Sequence, residues 1–314
     1  MKKISIILLL LLLLFPSSVR AAKTVGVLLF SEEPRYGEAF RGIRDALAAG
    51  GYREPSVVFD VRSAGGSKAV AAKIVREFRR KGVDMVVTLG TNATVAARRE
   101  LEKIPILFSM VFDPVEAGVT RGWSRPGTNA TGTSPKVDMR RVVEILHSFG
   151  VKRLLVLYTP GEKNSEIQLR ELSDAAERSV VVEPLMIRRS DEITTLLPPL
   201  LSRVDGVYVT GSSVVGRSID RVVSATVTHR RLTVTHLKDL VELGVAVGIA
   251  ADPYRLGFRA GEKGVRILSG HPPAGIPVDW NRSPDLYVND DTLGRIGKHL
   301  PADIPVAIQH IHAR

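Results

Sequence analysis

The chain has 314 residues, 44% of them hydrophobic and 25% charged, with no cysteine and a formal net charge of +11. That length suffices for two domains of ordinary size, and the missing cysteine excludes disulfides, thiolate metal sites, thiol nucleophiles and a lipid-bearing cysteine at a mature start. The positive charge is spread along helices such as "KIVREFRRKG" (73–82), mixed with acids and without interleaved aromatics. It therefore reads as a solvated surface and excludes a nucleic-acid interface.

Residues 1–22 carry Lys2 and Lys3, an apolar run from Ile4 to Phe15, a break at Pro16 and the small-residue end "SSVRAA". This is the layout of a cleaved secretory signal peptide. The run falls short of the roughly 18 to 20 residues a membrane helix needs, and export predicts a periplasmic location.

Beyond it, apolar strands and amphipathic helices alternate. Strands are expected at 24–30, 56–62, 83–89, 104–111, 153–158, 180–187, 205–210, 232–236 and 245–250, and helices at 37–50, 67–81, 92–102, 137–149, 163–178, 213–230 and 253–269. Strands that are apolar at nearly every position and separated by helices predict parallel sheets covered on both faces. One passage interrupts the alternation, "GVTRGWSRPGTNATGTSPKVD" (118–138), and the character changes again after Gly270. The fold expected is α/β, with two Rossmann-like lobes, hinge crossovers and a cleft between them. The lobes are expected at 23–131 plus about 251–275, and at 132–250 plus about 276–314.

Motifs of catalysis are missing. No Gly-x-Gly-x-x-Gly follows a strand, no phosphate-binding Gly-x4-Gly-Lys-Ser/Thr occurs, and there is no Gly-x-Ser-x-Gly elbow. "HIH" (310–312) reads as incidental and no acidic cluster accompanies His229 or His236, so neither a metal nor a cofactor is expected. What recurs is a small polar tip at the carboxyl end of strand after strand: Ser31 and Glu32; Thr91, Asn92 and Thr94; Phe112 and Asp113; Glu162, Asn164 and Ser165; Gly211, Ser212 and Ser213; Asp252 and Tyr254. Such residues also cap helices, so no single tip identifies a site. Their recurrence on both halves points to a binding cleft.

The same segments, in order, carry a resemblance. "VVTLGTNATVAA", "IPILFSMVFDPVEAG", "PGTNATGTS", "LLVLYTPGEKNSE", "DPYRLGFRAGEKGVRILSGHPPAGIPV" and "LYVNDDTLGRIGKHLP" resemble the periplasmic substrate-binding proteins of ABC transporters, in the family with tryptophan- and tyrosine-binding members. The resemblance spans essentially the whole mature chain. It departs from the pattern in two places: "GSS" (211–213) stands where many relatives carry Asp-Asn, and "SEEPRYGEAF" (31–40) where they carry a His-Pro segment.

The resemblance implies a monomeric receptor that closes two lobes over a small molecule and delivers it to an ABC permease in the inner membrane. Thr91, Asn92 and Thr94, at a helix start, would take a carboxylate or similar acceptor. Glu162, Asn164 and Ser165 would close from the other lobe, and Phe112, Tyr36 or Tyr254 would cover an apolar part. A ligand-sensing receptor for a membrane sensor uses the same binding. The rival from another class is a periplasmic enzyme with Asp113 or Asp252 as base, but no nucleophile and base can be paired. Ser212 and Ser213 can accept hydrogen bonds but cannot neutralise charge, so an α-ammonium would need another acid such as Glu32, Glu33, Asp113 or Asp252. The alternative, favoured here, is a carboxylate ligand that lacks the amine.

Overall fold

The structure is a computed structural model that describes residues 22–177, 179–302, 304 and 306–311. The signal-peptide reading, apart from Ala22, and His312 of "HIH" lie outside the described residues.

In chain order the elements are β1 (Lys23–Leu29), α1 (Pro34–Ala49), β2 (Val57–Ser63), α2 (Lys68–Lys81), β3 (Met85–Leu89), α3 (Thr91–Glu100), β4 (Ile106–Ser109) and β5 (Ala130–Ser134). There follow α4 (Met139–Ser148), β6 (Arg153–Tyr158), α5 (Lys163–Ala176), β7 (Val181–Met186), α6 (Ile193–Leu196), β8 (Gly206–Val209), α7 (Ser213–Gly216), α8 (Ile219–Thr228), β9 (Leu232–Thr235), α9 (Lys238–Glu242) and β10 (Val247–Ala250). The chain closes with α10 (Pro253–Leu268), β11 (Asp279–Trp280), β12 (Asp285–Asn289), α11 (Asp290–Arg295) and β13 (Ile308–Ile311).

These strands make two sheets, ordered β11-β5-β4-β3-β1-β2 and β13-β12-β10-β9-β8-β6-β7. Their central strands are apolar and fully buried, as in "MVVTL" of β3 and "GVYV" of β8, because parallel strands covered by helices on both faces have no solvated side. One pair departs from the expected parallel pattern: β12 runs antiparallel to β10.

The chain crosses between the sheets three times, between β5 and α4, between β10 and α10, and between β11 and β12. The first and third crossings come after Ser134 and Trp280, later than the breaks expected near 131 and 275. The passage 118–138, expected as a connection, contains β5, "ATGTS", buried at all five positions. Nothing in its composition announces a strand, but tertiary partners satisfy it. Thr131 Oγ1 donates to the Ile276 carbonyl (2.7 Å) and Thr133 Oγ1 to the Leu256 carbonyl (3.0 Å). Gly132 is required because a Cβ there would lie 1.9 Å from the Phe108 carbonyl oxygen. The helix expected over 213–230 is broken into α7 and α8 by a turn at Arg217 and Ser218.

Helix α10 returns to the first sheet and packs directly on α1. Their backbones approach closely at Gly257, whose Cβ would fall 1.9 Å from the Ala39 carbonyl oxygen, and at Gly42, whose Cβ would fall 2.2 Å from that of Tyr254.

Candidate functional site

A pocket lies between the two sheets. It is built from strand carboxyl ends, where parallel sheets leave space for a ligand. Phe30 follows β1, Thr91 and Asn92 follow β3, Met110 and Phe112 follow β4, and Pro135 follows β5; from the second sheet, Asn164 comes after β6, Gly211 and Ser213 after β8, and His236 after β9. Arg35, Tyr36, Gln168 and Leu237 complete the wall.

The strand-to-helix junction at Thr91 is, like the starts of α1 and α5, one that no side chain caps. Ser67, Asp138 and Asp252 each cap the helix that follows them with a side-chain oxygen, whereas α3 starts from Gly90 with no side-chain cap. Its first N–H groups, with the partial positive charge of a helix start, are left for another acceptor. Gly90 has φ +97°, and a Cβ there would meet the Tyr36 hydroxyl at 2.7 Å. Glycine thus lets the Tyr36 ring close over the helix start. Met110 also sits in the left-handed region, at φ +61°, a strained conformation of the kind that collects at ligand sites.

Opposite this junction the second lobe presents amide groups. Asn164 Nδ2 donates to the Gly211 carbonyl (2.6 Å), and the Gly211 N–H donates to Gln168 Oε1 (2.8 Å). Gln168 is fully buried and its Nε2 has no protein partner. His236 packs edge-on against the Phe112 ring, with centroids 5.2 Å apart, and its Nδ1 lies 3.1 Å from the Tyr208 hydroxyl. Burial, aided by the positive field of Arg35, pushes the His236 pKa down to about 3, so the ring is neutral at ordinary pH. The Tyr208 hydroxyl also donates to Met139 Sδ at 3.9 Å.

Arg35 is the one cation among the lining residues. It reaches across from α1 to Asp239 at the start of α9, Nη1 to Oδ2 at 2.7 Å, and also contacts Glu33 at 3.1 Å. Burial opposes its charge, but Asp239 and Glu33 more than compensate, and its pKa is raised. Burial, reinforced by Glu33, likewise raises the pKa of Tyr36. Further bonds join the lobes: Lys163 Nζ donates to the Ala117 carbonyl (3.0 Å), Lys68 Nζ donates to that of Gly161, and the Arg170 guanidinium donates to Glu116.

Of the residues expected at the site, Tyr36, Thr91, Asn92, Phe112, Asn164, Gly211 and Ser213 line the cavity. Others are buried but do not line it. Thr94 Oγ1 donates to the Gly90 carbonyl (2.9 Å), Ser165 Oγ accepts from the Thr159 N–H (2.8 Å), and Ser212 Oγ caps α7. Glu162 accepts from the Ser213 N–H (2.9 Å), and burial raises its pKa, an effect this bond partly offsets. Ser31 is buried with an unpartnered Oγ.

The remaining expected residues lie elsewhere, for visible reasons. Glu32 is exposed. Asp113 takes the Val115 and Glu116 N–H groups on one oxygen and Lys136 on the other. Asp252 caps α10 and pairs with Lys238, and Tyr254 hydrogen-bonds Asp45 on the outer side of α1 (3.1 Å). The three-acid group Asp113, Glu116 and Glu171 is neutralised in part by Lys136, which contacts Asp113 and Glu171 at 2.6 and 2.5 Å.

Phe30, Arg35, Met110, Pro135, Gln168, His236 and Leu237 were not anticipated. Gln168 stands one helical turn after Asn164, on the same face, and His236 ends β9 as the other tips end their strands. Those two signals were readable.

Two α/β lobes with a lined cavity between their strand ends define a solute-binding protein of the type I periplasmic fold. The chain belongs to the ABC transporter substrate-binding protein family, which it matches over residues 24–310. It is 27% identical over 277 residues to the tyrosine-binding protein of Clostridioides difficile (strain R20291), covering 86% of this chain and 80% of the relative. Among solved structures, an ABC domain in complex with L-Trp from Streptococcus pneumonia is 25% identical with a TM-score of 0.88, covering 93% of this chain and 100% of that one. The ligand-free, open structure of a substrate-binding protein with adhesive properties from Clostridium difficile is 26% identical with a TM-score of 0.71, covering 92% and 100%. The chain is thus a binder of small molecules and not an enzyme, and Asp113 and Asp252, the bases of the enzymatic alternative, are both engaged in capping and ion pairs.

Proposed function

We propose that this chain is the periplasmic solute-binding component of an ABC uptake transporter, exported with cleavage of residues 1–22, and that it presents a closed, liganded form to an inner-membrane permease. Closure acts by population shift: a ligand that touches both lobes binds best when they are together. The arrangement described here corresponds to the closed form. Lobe-to-lobe bonds such as Arg35–Asp239 are made, and the likeness is greater to the L-Trp complex than to the open, ligand-free relative.

The ligand proposed is a small carboxylate with a flat apolar body. Its carboxylate sits on the uncapped start of α3 with the Thr91 hydroxyl and Asn92, and its body lies among Phe30, Tyr36, Phe112 and His236. The observation that carries this reading is the lining itself, which holds Arg35 and several amide and hydroxyl groups but no carboxylate. An α-ammonium enclosed there would have no anionic partner, which costs several kcal/mol. Of the four acids offered by the sequence, only Glu33 approaches the wall, and it faces Arg35. A free aromatic amino acid is the second reading, favoured by the tyrosine-binding relative and by L-Trp in the structural neighbour.

Thermal-shift titration tests both. A ligand at 100 times its Kd adds about 2.7 kcal/mol to the folded state. Tryptophan, tyrosine and phenylalanine are set beside arylpropionates of the same shape. Stabilisation by the propionates supports the first reading, and stabilisation by the amino acids alone replaces it with the second. Mass spectrometry of the exported protein checks the leader: a retained Met1 contradicts the location.

A further inference from the structure

The wall opposite the Thr91 helix start is a convergence of hydrogen-bond donors, and Gly211 makes it so. A Cβ at 211 would lie 3.2 Å from both Asn164 Nδ2 and Gln168 Nε2 and 3.5 Å from His236 Cε1. The backbone of Gly211 also orients two of the three. Its N–H fixes the Gln168 amide with the oxygen inward, which leaves Nε2 as a buried donor with no protein partner. Its carbonyl takes one of the two Asn164 N–H groups. The third, His236, is held at its Nδ1 by the Tyr208 hydroxyl, 3.1 Å away. A buried donor without an acceptor is costly, so this wall favours an acceptor over another donor or a cation.

We infer that Gln168 and Asn164, with His236 beside them, form a second recognition point, one that reads a neutral acceptor oxygen beside the ligand's carboxylate, as in an aromatic 2-hydroxy or 2-oxo acid. Thr91 and Asn92 at the α3 start line the same pocket as this wall, so one small molecule reaches both. The inference rests on the carboxylate reading of the previous section and adds the polarity of the neighbouring substituent.

The test compares three probes on one ring: indole-3-lactate, indole-3-propionate and tryptophan, which carry a hydroxyl, a hydrogen and an ammonium on the carbon next to the carboxylate. Calorimetry on the wild-type protein should give the lactate at least tenfold tighter binding than the propionate, and weakest binding for tryptophan. Gln168→Glu keeps an oxygen for the Gly211 N–H and nearly the same shape, but turns the free donor into an acceptor. It should weaken the lactate at least 30-fold and strengthen tryptophan. Equal losses for lactate and tryptophan would show that Gln168 only packs, and would overturn the inference, as would a wild-type protein that binds propionate as tightly as lactate. That second comparison needs no variant, so a Gln168→Glu chain that fails to fold does not rescue the idea. Carboxylates bound without discrimination sink this inference alone, whereas no binding of either amine-free acid sinks the carboxylate reading beneath it.

Discussion

The Arg35–Asp239 pair offers a direct test of closure, because its two members belong to different lobes and are 3% and 4% exposed. When the lobes open, both charges return to water, so the pair contributes only to the closed form. Removing one partner of a buried pair costs about 3–5 kcal/mol, since the other is left buried and uncompensated. In Asp239→Asn the cost falls below that range, because Glu33 remains 3.1 Å from the guanidinium and the new amide oxygen still accepts a hydrogen bond. With about 2–3 kcal/mol lost and 1.4 kcal/mol per decade, ligand affinity should drop by roughly 30- to 150-fold. The melting temperature of the ligand-free protein should hardly move, since an open molecule hydrates Arg35. Calorimetry gives the first quantity and a thermal melt without ligand the second. Small-angle scattering should show that saturating ligand still compacts the variant. An unchanged Kd, or a loss of ligand-free stability as large as the loss of affinity, would refute the assignment of this pair to closure.

Thr91→Val removes a hydroxyl from the helix start while nearly keeping shape; a lost hydrogen bond to a charged group costs about 1.5–3 kcal/mol, so affinity for a bound carboxylate should fall by about one to two decades, with little change in the melt of the free protein. Gly257→Ala drives a methyl into the Ala39 carbonyl, which a Cβ would approach to 1.9 Å, and should lower the melting temperature by several degrees, as overpacking typically costs about 1–3 kcal/mol. His236 gives a pH dependence. Its folded pKa is about 3 against about 6.5 for the unfolded chain, so between those values the unfolded state holds the extra proton and stability falls as pH falls. That share of the slope reaches about 1.4 kcal/mol per pH unit. It should be missing in His236→Phe when urea unfolding is compared between pH 4.5 and 6.5, and parallel curves for the two proteins would contradict it.

How far the sequence discloses this molecule depends on whether a residue's surroundings are local. The central strands were legible because burial on both faces forces near-continuous apolar runs, and "MVVTL" has no other use. β5 was not, because "ATGTS" is a strand only by virtue of the Ile276 and Leu256 carbonyls that receive its hydroxyls, more than a hundred positions away. The polar tips divide on the same ground. Thr91 was recognisable because a strand running into an uncapped helix is a local arrangement, with Gly90 supplying the turn. Asp252 occupies an equivalent place but is followed by Pro253, and an acid before a proline at the first helical position is a capping signature that should have withdrawn it from the list. Arg35 was hidden for a different reason. In a chain with 44 lysines and arginines, one more cation on a helix looks like surface, and only the docking of the second lobe places Asp239 against it. The cavity's polarity was therefore half visible: one side belongs to a single strand–helix junction, and the other exists only where Gly211, Gln168 and His236, from three segments of the second lobe, are brought to the same wall.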